Sequence, residues 1–124
     1  MADRRSSSKY TVGLPTTRDV ILGSVAATFV FEAITCVMRF GMRLESTRDT
    51  ASTVGRLTFG IRIHHSYIGI VVVLIAWRVW SRYPKRSRWL MMIGIGLFAS
   101  DMIHHFLVLW PVTGSPCFDL VYPE

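Results

Sequence analysis

The sequence predicts an all-α integral membrane protein with three transmembrane helices, and the distribution of apolar and charged residues supports this prediction. Apolar residues make up 51% of the 124 residues and are concentrated in three long blocks. A soluble amphipathic chain would instead spread them along its elements. Charged residues make up only 18%, and most of the basic ones lie in the gaps between the blocks. A membrane helix needs about 20 mostly apolar residues, which each block provides.

The first block, VILGSVAATFVFEAITCVMRFGM, covers residues 20–42. The preceding TTRD supplies capping side chains, and Thr17 or Asp19 is the predicted N-cap of the helix. Residues 1–19 form a basic arm rich in Ser and Thr. We expect no cleaved signal peptide, because the apolar block that follows the arm is long enough to span a membrane.

The second and third predicted spans cover residues 61–80 and 89–110, and Pro111 and Gly114 are predicted to end the last helix. Residues 111–124 then form a tail outside the membrane. This tail carries several apolar side chains, so we expect it to lie either on the polar cluster described below or on a neighbouring subunit.

The orientation follows from the basic residues. The segment RVWSRYPKRSRW, between the second and third blocks, carries five basic residues and no acid, and the N-terminal arm is also basic. With three spans these segments share a side, which the positive-inside rule makes cytoplasmic and which leaves the C-terminus on the outer side. The net charge of +6 is thereby explained by topology, and we expect no nucleic-acid partner. The predicted location is the cytoplasmic membrane of a bacterial or archaeal cell.

Several ionisable residues nevertheless lie within the predicted spans. Each costs about 2.5–3.5 kcal/mol at the centre of a membrane helix, so each needs a partner or a function. Asp101 lies one helical turn before both His104 and His105, since residues three and four apart are neighbours on a helix. The predicted topology brings all of these residues to the outer half of the bilayer. The group comprises Glu32, His64, His65, Asp101, His104 and His105.

Imidazoles and carboxylates together form a ligand set suited to zinc, iron or copper. The leading hypothesis is that His65, His104 and His105 hold a transition metal near the outer face. Asp101 would act either as a further ligand or as a group that orients a ligating imidazole. His64 and Glu32 are additional candidates. The sequence leaves open whether such a metal would be catalytic.

Two other interpretations remain open. In the first, the same residues form only a hydrogen-bonded seam that packs the helices of a non-enzymatic assembly subunit in a redox or photosynthetic complex. In the second, the histidines bind haem or a chlorophyll-type pigment. Over its few residues, HHFLVLW resembles the histidine-then-aromatic segment of bacterial light-harvesting helices. In all three interpretations the protein is a small subunit of a larger membrane complex, with the lipid bilayer and other membrane subunits as partners.

Motifs of other functional classes are missing. The sequence contains no phosphate-binding GxxxxGK[ST] loop and no GxGxxG after a strand. Cys36 and Cys117 do not form a recognisable metal or disulfide spacing, so we expect two unpaired thiols.

Overall fold

A computed structural model describes residues 15–122 of the chain, without the side chains at positions 46, 47 and 50. The first fourteen residues of the predicted N-terminal arm and the last two of the tail lie outside the described residues. Within the described range every regular element is helical apart from one isolated bridge, which confirms the all-α part of the predicted fold class. The long helices are α1 (Thr17–Gly41), α2 (His65–Val79) and α3 (Pro84–Thr113). Helices α1 and α3 are long and apolar enough to cross a membrane.

Helix α1 begins with a reciprocal capping box. The Thr16 hydroxyl accepts the backbone N–H of Asp19 at 3.2 Å, and the Asp19 carboxylate accepts the backbone N–H of Thr16 at 2.6 Å. This arrangement satisfies two backbone donors that the helix itself leaves unpaired. The predicted N-cap was therefore wrong, because Thr16 takes that position while Thr17 and Asp19 lie inside the first turn.

Helix α2 is shorter than the predicted span over 61–80. It has 15 residues, whereas residues 61–64 lie outside the helix and Ile61 forms a bridge with Val121 of the tail. At about 1.5 Å per residue, the helix covers about 22 Å of a hydrocarbon core that is about 30 Å thick. Helix α2 alone is therefore too short to reach across a typical bilayer.

Helix α3 is longer than the predicted 89–110, because Pro111 does not end it. Residues His104–Leu109 are π-helical, with the Trp110 N–H bonded to the His105 carbonyl, and one α-helical turn follows them. Pro111 lies at the start of this turn, a position where a missing N–H is tolerated. The helix ends at Gly114, whose left-handed backbone (φ 75°) is favourable for glycine.

Helix α3 lies between the other two helices, antiparallel to α2 and parallel to α1. Gly69 and Gly94 bring the backbones of α2 and α3 into direct contact, and Gly96 lies against Ala27 and Thr28 of α1. No Cα atom of α1 lies within 8 Å of one in α2. Small residues at helix contacts are typical of membrane helices, because they let the backbones approach closely.

The polarity of the bundle is inverted relative to a soluble protein. Among the described residues, the largest fully buried side chains are the serines Ser66, Ser87 and Ser100, whereas large apolar side chains point outward, such as Phe29 at 72% exposure. In water this distribution would be unfavourable, since wide apolar patches on a monomer usually mark an interface. Lipid or other membrane helices would cover such a surface.

The two ends of the bundle differ in charge. At the end that holds the α2–α3 connection, the guanidinium groups of Arg82 and Arg86 lie over the Tyr83 ring, and that of Arg88 lies over Trp80. In the loop at the opposite end, the Arg48 guanidinium and the Glu45 N–H hold the pKa of Asp49 below its usual value. That loop includes a short π-helical segment, Ser46–Gly55. The strongly basic end therefore lies opposite the loop that carries acids.

Candidate metal centre

The rare polar residues of the three helices meet at one end of the bundle, opposite the basic end. Antiparallel packing places the start of α2 beside Asp101, whose carboxylate accepts the backbone N–H of Ser66 at 3.3 Å. Parallel packing places the last turns of α1 beside His104, whose Nδ1 is 3.0 Å from Glu32 Oε1. The structure thus divides five of the six predicted site residues between two adjacent groups and leaves His65 at their margin.

The first group consists of His64, Asp101 and His105, and we call it the His–Asp centre. All three residues are buried, with 4–7% of their surface exposed. His64 Nδ1 is 3.8 Å from one oxygen of Asp101, and His105 Nε2 is 3.7 Å from the other. One potential ligand atom from each residue lies within 4.8 Å of the other two.

Two backbone carbonyls of the C-terminal tail determine the tautomers of these histidines. His64 Nε2 is 3.0 Å from the Asp119 carbonyl, and His105 Nδ1 is 2.7 Å from the Pro116 carbonyl. A carbonyl only accepts, so these nitrogens carry the protons. In the neutral imidazoles the other nitrogen of each ring then has a free lone pair, and these are the nitrogens that face Asp101. Metal-binding histidines are commonly oriented in this way by a backbone carbonyl.

The tail also covers the His–Asp centre with an aromatic ring. Phe118 stacks on His64 at 4.1 Å between centroids and meets the edge of His105 at 5.1 Å. An ion pair between Arg62 and Asp119 at 3.4 Å joins the tail to the start of α2. The prediction left open whether the tail lies on the cluster or on a neighbour, and in this structure it lies on the cluster.

The Asp101 carboxylate lies at the start of α2. The Ser66 N–H that it accepts belongs to the first turn of α2, where the helix dipole favours a negative charge. A carboxylate that faces two imidazole lone pairs therefore brings three acceptor atoms together. Without a cation or a proton between them, these atoms repel one another.

The distances in the His–Asp centre suit a small metal ion. Zinc lies about 2.0–2.2 Å from imidazole nitrogen and carboxylate oxygen, so tetrahedral ligand atoms are about 3.3 Å apart. The separations of 3.7 and 3.8 Å run to the two different oxygens of Asp101, and all three ligand atoms lie within 4.8 Å of one another, so the site would have to contract by up to about 1.5 Å around an ion. Three protein ligands would leave a further coordination position for water or a substrate.

His65 does not join this group as a third imidazole. Its side chain is 59% exposed, and its Nδ1 lies 3.8 Å from Asp101 at the margin of the centre. His64, a secondary candidate in the sequence, occupies the buried position instead. The reason is local, because α2 begins at His65 and His64 is its extended N-cap residue. Helical periodicity therefore does not predict the direction of the His64 side chain.

His104 and His105 point to different helices. Adjacent residues on a helix diverge by about 100°, which turns His105 toward α2 and His104 toward α1. His104 pairs with Glu32, whose Oε1 also accepts the Cys36 thiol at 3.2 Å. Cys36 and Cys117 are both free thiols. The structure therefore places Glu32 and His104 outside the His–Asp centre, in a second group with Cys36.

Sequence reasoning missed the contributions of the tail. The carbonyls of Pro116 and Asp119 and the ring of Phe118 all contact the histidines. Backbone carbonyls carry no sequence signature, so only the apolar composition of the tail indicated that it lies against something.

Comparisons of the chain with protein-family models, curated proteins and solved structures found no match.

Proposed function

We propose that this protein binds a transition metal ion, zinc, iron or copper, through His64, Asp101 and His105 near the outer face of a membrane. One observation carries the proposal: two imidazole lone pairs and a carboxylate converge in a buried site, while backbone carbonyls hold the ring protons on the far side. A cation at the point of convergence relieves the repulsion and replaces solvent as the partner of all three groups.

The packing interpretation accounts for part of the same geometry. Asp101 accepts the N–H of Ser66, and this bond alone would help to fix α2 against α3. A seam that only packs helices, however, pairs donors with acceptors. Here the imidazole nitrogens that face Asp101 are those left without a proton in the neutral rings, so a bound cation explains the arrangement better.

The geometry favours an ion over haem or chlorin. Two axial imidazoles of a haem lie on opposite faces of the macrocycle. The rings of His64 and His105 instead meet edge to face, 4.9 Å apart, and Phe118 packs on both of them. A flat macrocycle between these rings would have to displace the aromatic contacts.

Metal analysis of two adjacent variants tests the proposed ion. The full chain is purified in detergent without chelators, and its metal content is measured by elemental analysis. His64→Ala is expected to lose one metal ion per chain relative to wild type, because it removes a buried ligand. His65→Ala is the matched control and is expected to keep the wild-type content, because its ring is 59% exposed. Equal metal content in His64→Ala and wild type would refute the site.

The proposed topology has three spans, with the N-terminus in the cytoplasm and the C-terminus outside. Hydrogen bonds between α2 and α3 support the proposal that α2 also crosses the membrane. The Ser66 N–H donates to Asp101 near the start of α2, and the Ser87 hydroxyl donates to the Ala76 carbonyl near its end. If α3 crosses the bilayer, α2 crosses most of the same layer. The dense basic segment 78–88 marks the cytoplasmic side.

Thiol labelling tests this topology. In a chain whose two native cysteines are replaced by serine, a cysteine at Ser81 is expected to react with a membrane-impermeant maleimide only after the cells are permeabilised. A chain that keeps Cys117 as its only thiol is expected to react in intact cells, because the tail would lie outside. Labelling of the Ser81 position in intact cells would contradict the proposed orientation.

Membership in a larger complex stays a prediction. Only 6% of the most apolar stretch of α1 is buried within the chain, so most of that helix is free to contact lipid or another membrane protein. Lipid chains and the membrane-facing surface of another protein are both apolar, so either one fits the exposed surface of α1.

A further inference from the structure

We propose that Glu32, Cys36 and His104 form a second metal site, which binds a thiophilic divalent ion such as zinc through the Cys36 thiolate. We call it the thiolate site. It lies between α1 and α3, whereas the His–Asp centre lies between α2 and α3. The two sites share no ligand, so this inference does not depend on the proposed function.

The geometry of the three side chains supports the site. Glu32 and Cys36 are four residues apart on α1, which places both on the face that meets α3. Glu32 Oε1 is 3.0 Å from His104 Nδ1 and 3.2 Å from Cys36 Sγ, and the three potential ligand atoms lie within 4.8 Å of one another. Ligand atoms around a tetrahedral zinc ion are about 3.3–3.6 Å apart, since zinc–sulfur bonds are about 2.3 Å and zinc–oxygen bonds about 2.1 Å.

A second, independent observation is the state of the Glu32 carboxylate. Its Oε1 takes part in both hydrogen bonds, while Oε2 is buried and finds no hydrogen-bond partner among the described residues. A buried polar atom without a partner destabilises the fold, and more so if it is charged. The hydrogen bonds from Cys36 and His104 both go to Oε1, so they do not stabilise Oε2. A cation bound to the carboxylate would stabilise it.

The donor set determines the class of ion. A thiolate is a soft ligand that selects zinc or similar thiophilic ions, whereas the His–Asp centre offers only nitrogen and oxygen. The rings of His104 and His105 are 5.7 Å apart and nearly perpendicular, so each serves its own site. The chain therefore presents two neighbouring candidate sites, of which only the thiolate site offers a soft sulfur ligand.

Binding at the thiolate site involves no redox step. The Cys36 thiol loses its proton to solvent as the sulfur–metal bond forms. In the metal-free site His104 Nδ1 donates its proton to the Glu32 carboxylate. On binding, the neutral imidazole changes tautomer through solvent, so that its proton lies on Nε2 and the Nδ1 lone pair is free for the metal. Glu32 stays a carboxylate and contributes an oxygen, so the two negative ligands balance the charge of a divalent ion.

Cadmium titration of the full chain in detergent tests this site, because thiolate–cadmium bonds absorb in the near ultraviolet. Wild type is expected to gain this charge-transfer band, and Cys36→Ser is expected to lose it. Cys117→Ser removes the other free thiol and is the matched control, which is expected to keep the band. Glu32→Gln is expected to weaken cadmium binding at least tenfold while keeping the size of the side chain.

The outcomes separate this inference from the proposed function. A wild-type chain without the band would overturn the thiolate site, as would a band that persists in Cys36→Ser. His64→Ala is expected to leave the band intact, because it alters only the His–Asp centre. If the band follows Cys36 while wild type and His64→Ala have equal metal content after purification, the proposed function fails and the thiolate site stands.

Discussion

Replacing Asp101 by alanine is expected to lower the metal affinity of the His–Asp centre by more than about 100-fold, since loss of an outer-shell partner alone typically costs about 10–100-fold. Two consequences combine in this variant. The only negative ligand disappears, and the Ser66 N–H at the start of α2 loses its acceptor. Unpaired buried donors cost about 1–3 kcal/mol, so the free energy of unfolding is expected to fall as well. Competition with a chelator measures the affinity, and thermal unfolding followed by circular dichroism measures the stability.

Asp101→Asn separates these two effects. The amide keeps the size of the side chain and an oxygen that can accept the Ser66 N–H, but it carries no charge. We therefore expect Asp101→Asn to bind metal as poorly as Asp101→Ala while its unfolding temperature without metal stays closer to that of wild type. Wild-type metal affinity in Asp101→Asn would show that the carboxylate only packs the helices.

The second large effect is expected at the contact between α2 and α3. A Cβ atom at Gly69 would lie 2.6 Å from the Gly94 carbonyl and 2.8 Å from the Phe98 nitrogen. At Gly94 it would lie 2.8 Å from the Gly69 carbonyl. Backbone atoms cannot move aside as a flexible side chain can. Gly69→Ala and Gly94→Ala are therefore expected to destabilise the fold by about 1–3 kcal/mol, the usual cost of overpacking.

Gly41→Ala provides the control for this prediction. A Cβ at Gly41 would meet only a Val37 methyl group at 3.7 Å, an ordinary contact, so little change in unfolding temperature is expected. The Gly69 and Gly94 variants should also bind metal more weakly, because separating α2 from α3 moves His64 away from Asp101 and His105. Unaltered unfolding temperatures in both variants would mean that the helices do not pack at this distance.

The sequence was sufficient to predict the helices and the end of the bundle at which polar groups gather. Long apolar blocks and clustered basic residues are strong signals, and the spacing of Asp101 and His105 already placed them one turn apart. The choice between His64 and His65 could not be predicted in the same way. It depends on where α2 begins, and helical periodicity carries no information about a residue in the extended segment before the helix.

Two further features required the three-dimensional structure. A proline usually ends a helix, but Pro111 lies at the start of the α-helical turn that follows the π-helical segment, where a missing N–H is tolerated. Glu32 and Cys36 are four residues apart, a spacing that puts both on one face of α1. The contact of this pair with His104 could not be predicted, because nothing in the sequence shows that His104 turns toward α1 while His105 turns toward α2.

The central position of α3 has a consequence for how the protein is assembled. Every ligand of the His–Asp centre, and the tail that covers it, belongs to the second half of the chain, while α1 touches α3 on another side. The α2–α3 hairpin thus carries every ligand of the proposed His–Asp metal site, whereas the proposed thiolate site needs α1 as well. Loss of the contact between α1 and α3 is therefore expected to abolish the second site while leaving the ligands of the first together.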